Sequence, residues 1–96
     1  MEKMPLTIEW DPEKAKSNER AYGVGLHEAA TVLEDPLSTT FPDPDHSVDE
    51  KRYLTIGAST TGRILVVAHT ERDEAVRLIS ARRVTRRERK FYEEGK

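Results

Sequence analysis

The stretch "RILVVAHTERDEAVRLISARRVTRRERK", Arg63 to Lys90, decides the fold. Its apolar run "ILVVA" (Ile64–Ala68) would bury both faces of a strand, which suits the centre of a sheet. "ERDE" (Glu71–Glu74) reads as a polar turn, and "AVRLISAR" (Ala75–Arg82) as the next strand. That strand leads into "TRRE", which places Thr85 at an N-cap and Glu88 three residues later. This is the reciprocal capping pattern, and it predicts a helix from about Arg86 to Glu94.

The reading extends upstream. "RYLTIGAS" (Arg52–Ser59) is a further strand, joined to the apolar one by "TTG", with Gly62 at the flexible turn position. Before it, "PDPDHSVDE" (Pro42–Glu50) holds two prolines and four carboxylates and reads as an exposed loop, preceded by a short strand in "LSTTF". Near the start, "LTIEW" reads as a strand and Asp11-Pro12 as a helix start. That helix is expected to reach Tyr22 and stop at Gly23, with Ala15, Asn18 and Tyr22 facing inward. A second helix carries Leu26, Ala29, Ala30 and Leu33 as its apolar stripe and ends before Asp35-Pro36. The predicted order is β-α-α-β-β-β-β-α. It describes an α+β domain with a small antiparallel sheet, two N-terminal helices and a C-terminal helix.

Ninety-six residues suit one domain, residues 1–96. Apolar and charged residues each make up 35% of the chain, so the core must be small, yet its apolar residues are clustered and patterned. The absence of Cys excludes disulfides, thiolate metal sites and thiol nucleophiles. The opening "MEKMPLTIEW" does not read as a signal peptide, and the longest apolar run is far too short to cross a bilayer. A soluble cytoplasmic protein is expected.

Charge is unevenly placed. Arg77–Lys90 holds seven basic residues and one acidic one, in a chain with 16 Lys+Arg and 18 Asp+Glu. Strict alternation puts Arg77 on the strand face of Ile79 and Ala81, and Arg82 on that of Val76, Leu78 and Ser80. Neither guanidinium is cheap to cover without an anion. The following helix begins with Arg86, Arg87, Arg89 and Lys90, where its dipole already favours anions. The cationic groups are therefore expected to converge on one anion-sized spot that takes a phosphate.

The ordered set "IEWDPEKAKSNERAYGV", "EAATVLEDPL", "DPDHSVDEKRYLTIG", "ILVVAHTER" and "RLISARRVTRRERKFYE" resembles the BrnT family of toxins, partners of BrnA antitoxins in bacterial type II toxin–antitoxin systems. The most specific pieces are "HTxR" at the end of the central strand and "ISAR" running into "ExxxY". The resemblance implies a RelE-like fold and a ribonuclease toxin that blocks translation. It also implies a ribbon-helix-helix antitoxin and a toxin homodimer within the antitoxin complex. Tyr22 departs from the family pattern, which has His before the Gly-Val turn, and Gly25 stands where a Ser usually caps the second helix.

Cleavage of RNA by its own 2′-OH needs a base, a proton for the leaving 5′ oxygen, and positive charge for the phosphorane. Arg72, Arg77 and Arg82 are the candidates for phosphate and transition-state binding, since guanidinium can bond two phosphoryl oxygens. Arg83, Arg86, Arg87 and Lys90 would position the RNA backbone. For proton transfer the candidates are His69, Glu88 and Tyr92, the last two sharing a helix face. Each has a structural role beside the chemical one: a strand-end hydrogen bond, a helix cap and packing on the sheet. Lys14 and Asn18, also in the family pattern, read as structural. The acidic loop group Asp43, Asp45, His46 and Asp49 fits no EF-hand or zinc spacing, so neither metal nor cofactor is expected.

Three functions remain open on the sequence: an endoribonuclease toxin whose target RNA is free or ribosome-associated, a nucleic-acid-binding module without catalysis, and a protein-docking module that uses its basic segment on an acidic partner.

Overall fold

The computed structural model describes residues 7–43 and 51–95. Its elements are β1 (Thr7–Glu9), α1 (Pro12–Tyr22), α2 (Leu26–Val32), β2 (Thr39–Pro42), β3 (Arg52–Ala58), β4 (Ile64–Arg72), β5 (Ala75–Arg83) and α3 (Arg86–Glu93), in the expected order. Of the acidic loop group only Asp43 falls among the described residues; Asp45, His46 and Asp49 lie outside them.

One five-stranded sheet runs β1-β5-β4-β3-β2, with β4 at its centre as the apolar run predicts. The pairs among β2, β3, β4 and β5 are antiparallel, but β1 lies parallel to β5. The expected antiparallel sheet is thus corrected to a mixed one. No tight turn links β1 to its neighbour; two helices and three strands intervene, so nothing forces the two to run oppositely.

α1 and α2 cover one face of this sheet. Val24, Leu26, Ala29 and Val32 pack there on Leu65, Val67, Val76, Leu78 and Ala81, with Ile8, Trp10 and Ala15 at the margin. Gly57 lets α2 come close: a Cβ at this position would lie 2.9 Å from Ser38 Cβ and 3.0 Å from Val32 Cγ1. The local signals act as expected. Asp11 Oδ1 accepts the Glu13 N–H at 2.9 Å, and Gly23 ends α1 in the left-handed region at φ 70. Gly25 precedes α2 without a side-chain cap.

Three local expectations are corrected. Tyr22 is 54% exposed rather than inward, because α1 crosses the edge of β5 and its last residue emerges on the far side of the sheet. The polar turn is tighter than "ERDE": Arg72 pairs with Ala75, leaving Asp73 and Glu74 as the loop, with Asp73 at φ 56. Finally, β5 is not a regular strand. Ala68 is opposite Ser80 and His69 opposite Leu78, so Ile79 is an extra, bulged residue. β4 keeps perfect register with β3 throughout, so the bulge belongs to β5 alone.

α3 starts with the capping box read from "TRRE". Thr85 Oγ1 accepts the Glu88 N–H at 3.2 Å, and Glu88 Oε1 accepts the Thr85 N–H at 2.8 Å. Thr85→Ala is expected to cost about 1 kcal/mol and to fray α3. A urea midpoint equal to that of the unsubstituted protein would refute the cap's contribution.

Candidate nucleic-acid interface

Directly opposed residues in a sheet share a face. Following β4 from Val66 through Ala68 and Thr70 to Arg72 gives the face turned away from α1 and α2. On β5 its partners are Arg82, Ser80, Arg77 and Ala75, and on β3 they include Ile56, Leu54 and Arg52. The bulge at Ile79 produces this arrangement. Without it Arg77 and Arg82 would point to opposite sides, as alternation predicts; with it both lie on the face that also carries Arg52 and Arg72.

The four guanidinium groups share a face but not a point. The Arg77 row, which contains Thr70, and the Arg82 row, which contains Val66, are four β4 residues apart, or about 13 Å at ~3.3 Å per residue. Convergence on one anion-sized spot is therefore corrected to a basic surface long enough for a strand to cross. The rest of the basic run divides around the end of β5. Arg83 lies across the sheet from Arg82 and lines a separate cavity of about 260 Å³ with Arg63, Val84 and Arg89. Arg86, Arg87 and Lys90 are exposed along α3.

The best-defined cation is Arg82. Its Nη1 and Nη2 each donate to Glu88 at 2.9 Å, a two-pronged pair, and Nη1 also donates to the Arg83 carbonyl at 3.1 Å. The Arg82 side chain remains 41% exposed, so the pair lies at the surface. Arg77 donates to Glu9 on β1 at 3.1 Å. The Arg82 guanidinium, helped by the Thr85 N–H and opposed by partial burial, holds Glu88 down at about 2. Glu88 is therefore fully ionised near neutral pH.

His69 and Tyr92 are engaged in other bonds. His69 is on the helix-covered face and only 4% exposed, stacked on Tyr53, with Nε2 2.8 Å from Thr55 Oγ1. Burial lowers its pKa, partly offset by Glu71, so the ring is neutral at pH 7. Tyr92 donates its hydroxyl to Asp35 at 2.6 Å, and that bond, with burial, pushes it up to about 12. His69 is on the opposite face of the sheet from the Arg82–Glu88 pair, and Tyr92, one turn along α3 from Glu88, has its hydroxyl held by Asp35.

Tyr22 and Ser80 are the residues that sequence reasoning left out of the site. Together with Leu54, Val66 and Ala68 they line a hollow of about 120 Å³ beside Arg82. The signal for Tyr22 was its departure from the family pattern; nothing local marked Ser80. Among the described residues, no group of three or more His, Cys, Asp or Glu side chains is placed to hold a metal ion.

A second carboxylate cluster fixes the far end of the sheet. Glu28 takes hydrogen bonds from Arg63, Ser59 and Thr61, and these hold it down at about 2 against the opposing effect of burial. Burial alone would raise Asp35, but the Ala58 N–H, the Tyr92 hydroxyl and the Leu37 N–H outweigh it and lower the pKa. A carboxylate whose pKa is depressed by folding stabilises the fold above its unfolded value and loses that contribution as pH falls to the folded one. For Glu28 and Glu88 the window runs from about 4.5 to about 2. Thermal midpoints are expected to fall across it, and Glu28→Gln to flatten the fall; an unchanged slope in that variant would contradict the assignment.

Comparisons with known proteins fit this architecture. The family model described as "Ribonuclease toxin, BrnT, of type II toxin-antitoxin system" matches residues 10–88. The fold matches the crystal structure of the Brucella abortus ribonuclease toxin BrnT with a TM-score of 0.66 at 21% identity, covering 85% of this chain and 100% of that one. No curated protein matches the chain. The matched span runs from Trp10 to Glu88, from just after β1 through the bulged β5 and the first turn of α3; the chain belongs to the BrnT family of ribonuclease toxins of type II toxin–antitoxin systems.

Proposed function

We propose that this protein is a metal-independent endoribonuclease that binds RNA across the bulged face of its sheet and cleaves it beside Arg82. The observation that carries the proposal is the bulge at Ile79, which turns Arg77 and Arg82 to the side occupied by Arg52 and Arg72. An RNA strand crossing that face meets the Arg77 and Arg82 rows, their backbones about 13 Å apart, a spacing that lets the two engage different phosphates. Arg82 holds the scissile phosphate; Arg77 and Arg72 hold flanking ones. Arg83, Arg86, Arg87 and Lys90 supply longer-range attraction around the end of the sheet.

In this reading the 2′-oxygen attacks phosphorus and the P–O5′ bond breaks, leaving a 2′,3′-cyclic phosphate and a 5′-hydroxyl. The 2′-OH proton passes to solvent water and the leaving oxygen takes its proton from solvent, while Glu88, held at about 2, acts by orienting the Arg82 guanidinium rather than as a base. Arg82 shifts one prong from Glu88 to the phosphoryl oxygens as charge grows there, so the pair orients the guanidinium before the substrate arrives. His69 and Tyr92 act through the fold, as hydrogen-bonding groups, His69 buried and Tyr92 partly so. In the cell the toxin is expected to act in the cytoplasm, to block translation, and to be held by a BrnA-like ribbon-helix-helix antitoxin in a complex that contains a toxin dimer.

The neutralisation of Arg82 by Glu88 favours a second reading, RNA binding without cleavage. Incubation of the purified protein with end-labelled RNA, with and without EDTA, decides between them. Cleavage that persists in EDTA supports the proposal. Binding that weakens steeply with salt, without cleavage, supports the second reading.

A further inference from the structure

The hollow beside Arg82 is chemically unlike the basic surface around it. Its floor is Leu54, Val66 and Ala68, its polar rim is Ser80 and Arg82, and one wall is the ring of Tyr22. Tyr22 also borders a second, more open hollow of about 280 Å³ that includes Lys14, Ser17, Ile79 and Ser80, so Tyr22 and Ser80 line both. A helix-terminal aromatic that is 54% exposed has little reason to stand there for packing. At about 120 Å³ the inner hollow is well below the ~300–1,000 Å³ of a drug-sized ligand site. It suits one flat apolar group inserted edge-on, with an anion outside it: Arg82 lines this hollow, and Lys14 lines the neighbouring one that Tyr22 shares.

We propose that this hollow is a nucleobase subsite, in which one unstacked RNA base lies against the Tyr22 ring over Leu54, Val66 and Ala68, with its phosphate on Arg82. This rests on the reading of the bulged face as an RNA surface. RNA fits the site because single-stranded RNA offers a flat apolar ring and an anion at a fixed short spacing, and proteins that read it stack its bases on exposed aromatics. The Ser80 hydroxyl is the uncharged polar group on the rim and faces the base edge, so it tunes which base is preferred. Tyr22 is thereby a base-binding residue. Phenylalanine is expected to replace it for binding, because the ring and not the hydroxyl does the stacking.

The test uses a 2′-O-methyl hexanucleotide, which cannot be cleaved, with 2-aminopurine placed at each position in turn, and a set of twins carrying an abasic site instead. The unsubstituted protein is expected to quench 2-aminopurine at one position, and Tyr22→Phe to match it within about twofold. Tyr22→Ala is expected to lose the quenching and bind about tenfold more weakly. The twin abasic at that position is expected to bind the unsubstituted protein and Tyr22→Ala equally. Tyr22→Ala binding and quenching like the unsubstituted protein overturns the inference, as does a base at that position adding nothing over its abasic twin. A hollow that serves a protein partner instead shows as Tyr22→Ala weakening antitoxin capture while RNA affinity is unchanged, which also overturns it. Should the unsubstituted protein bind and quench but leave unmethylated RNA intact, the ribonuclease mechanism fails and the base subsite stands. Binding of neither oligonucleotide at low salt removes both.

Discussion

Replacing Arg82 by alanine is expected to lower RNA cleavage by about 10²–10³-fold, the usual effect of removing one group that bonds the developing oxyanion. The fold is expected to survive. The Arg82–Glu88 pair is partly exposed, with side chains 41% and 28% accessible, so its contribution to stability is on the order of 1 kcal/mol or less. The helix cap also outlasts the change, because Glu88 still accepts the Thr85 N–H. Activity and stability therefore separate in this variant. Arg82→Lys keeps the charge but not the planar fork, and is expected to recover only a small part of the rate. Lys16→Ala removes one positive charge from an exposed position on α1 and controls for general electrostatic loss. Initial rates on a labelled RNA, compared with thermal midpoints of the same preparations, decide the matter. Undiminished cleavage by a well-folded Arg82→Ala protein would remove the proposed chemistry, although the family assignment would stand.

What could be read in advance was what the chain encodes locally. The "TRRE" box, Asp11-Pro12, Gly23 and the turn at Gly62 each act within four residues, and each appears where the sequence places it. The apolar run "ILVVA" likewise marks the central strand, because burial on both faces leaves a composition that no edge strand has. The site was less legible because it depends on pairing. Alternation sent Arg77 and Arg82 to opposite faces, and the bulge that reunites them exists only in the register between β4 and β5. No Gly or Pro announces it; the bulged residue is Ile79. The direction of β1 is likewise fixed by docking on Ala75–Arg77, far along the chain. Tyr22 was misplaced for the same reason: helical spacing puts it in line with Ala15 and Asn18, but the helix overruns the edge of the sheet.

Asn18 joins the local and non-local parts of the fold, and its replacement is expected to have the largest effect on stability. Among the described residues β1 pairs with β5 over Ala75–Arg77, and no strand among them bonds the edge of β5 farther along. Ala81 pairs with Val67 on one side, yet its own N–H and C=O bond on the other, to Asn18. The side-chain amide accepts from the Ala81 N–H at 3.0 Å and donates to the Ala81 carbonyl at 2.9 Å, as a neighbouring strand would. A further bond at 2.9 Å, to the Val24 carbonyl, ties in the turn after Gly23. Asn18 is only 4% exposed, so Asn18→Ala strands three buried backbone groups. At ~1–3 kcal/mol for each unsatisfied group, allowing for partial relaxation, the expected cost is about 3–5 kcal/mol. For a domain of this size that corresponds to a fall of about 15 °C or more in thermal midpoint. Asn18→Asp is expected to be similarly harmful at neutral pH, since a carboxylate can accept from Ala81 but faces two carbonyls it cannot bond. Ser80 and Arg82 flank Ala81 on the strand that Asn18 holds, so cleavage is expected to fall in whatever fraction of either variant remains folded. A midpoint shift below about 3 °C in Asn18→Ala would show that the β5 edge is held by something other than this amide.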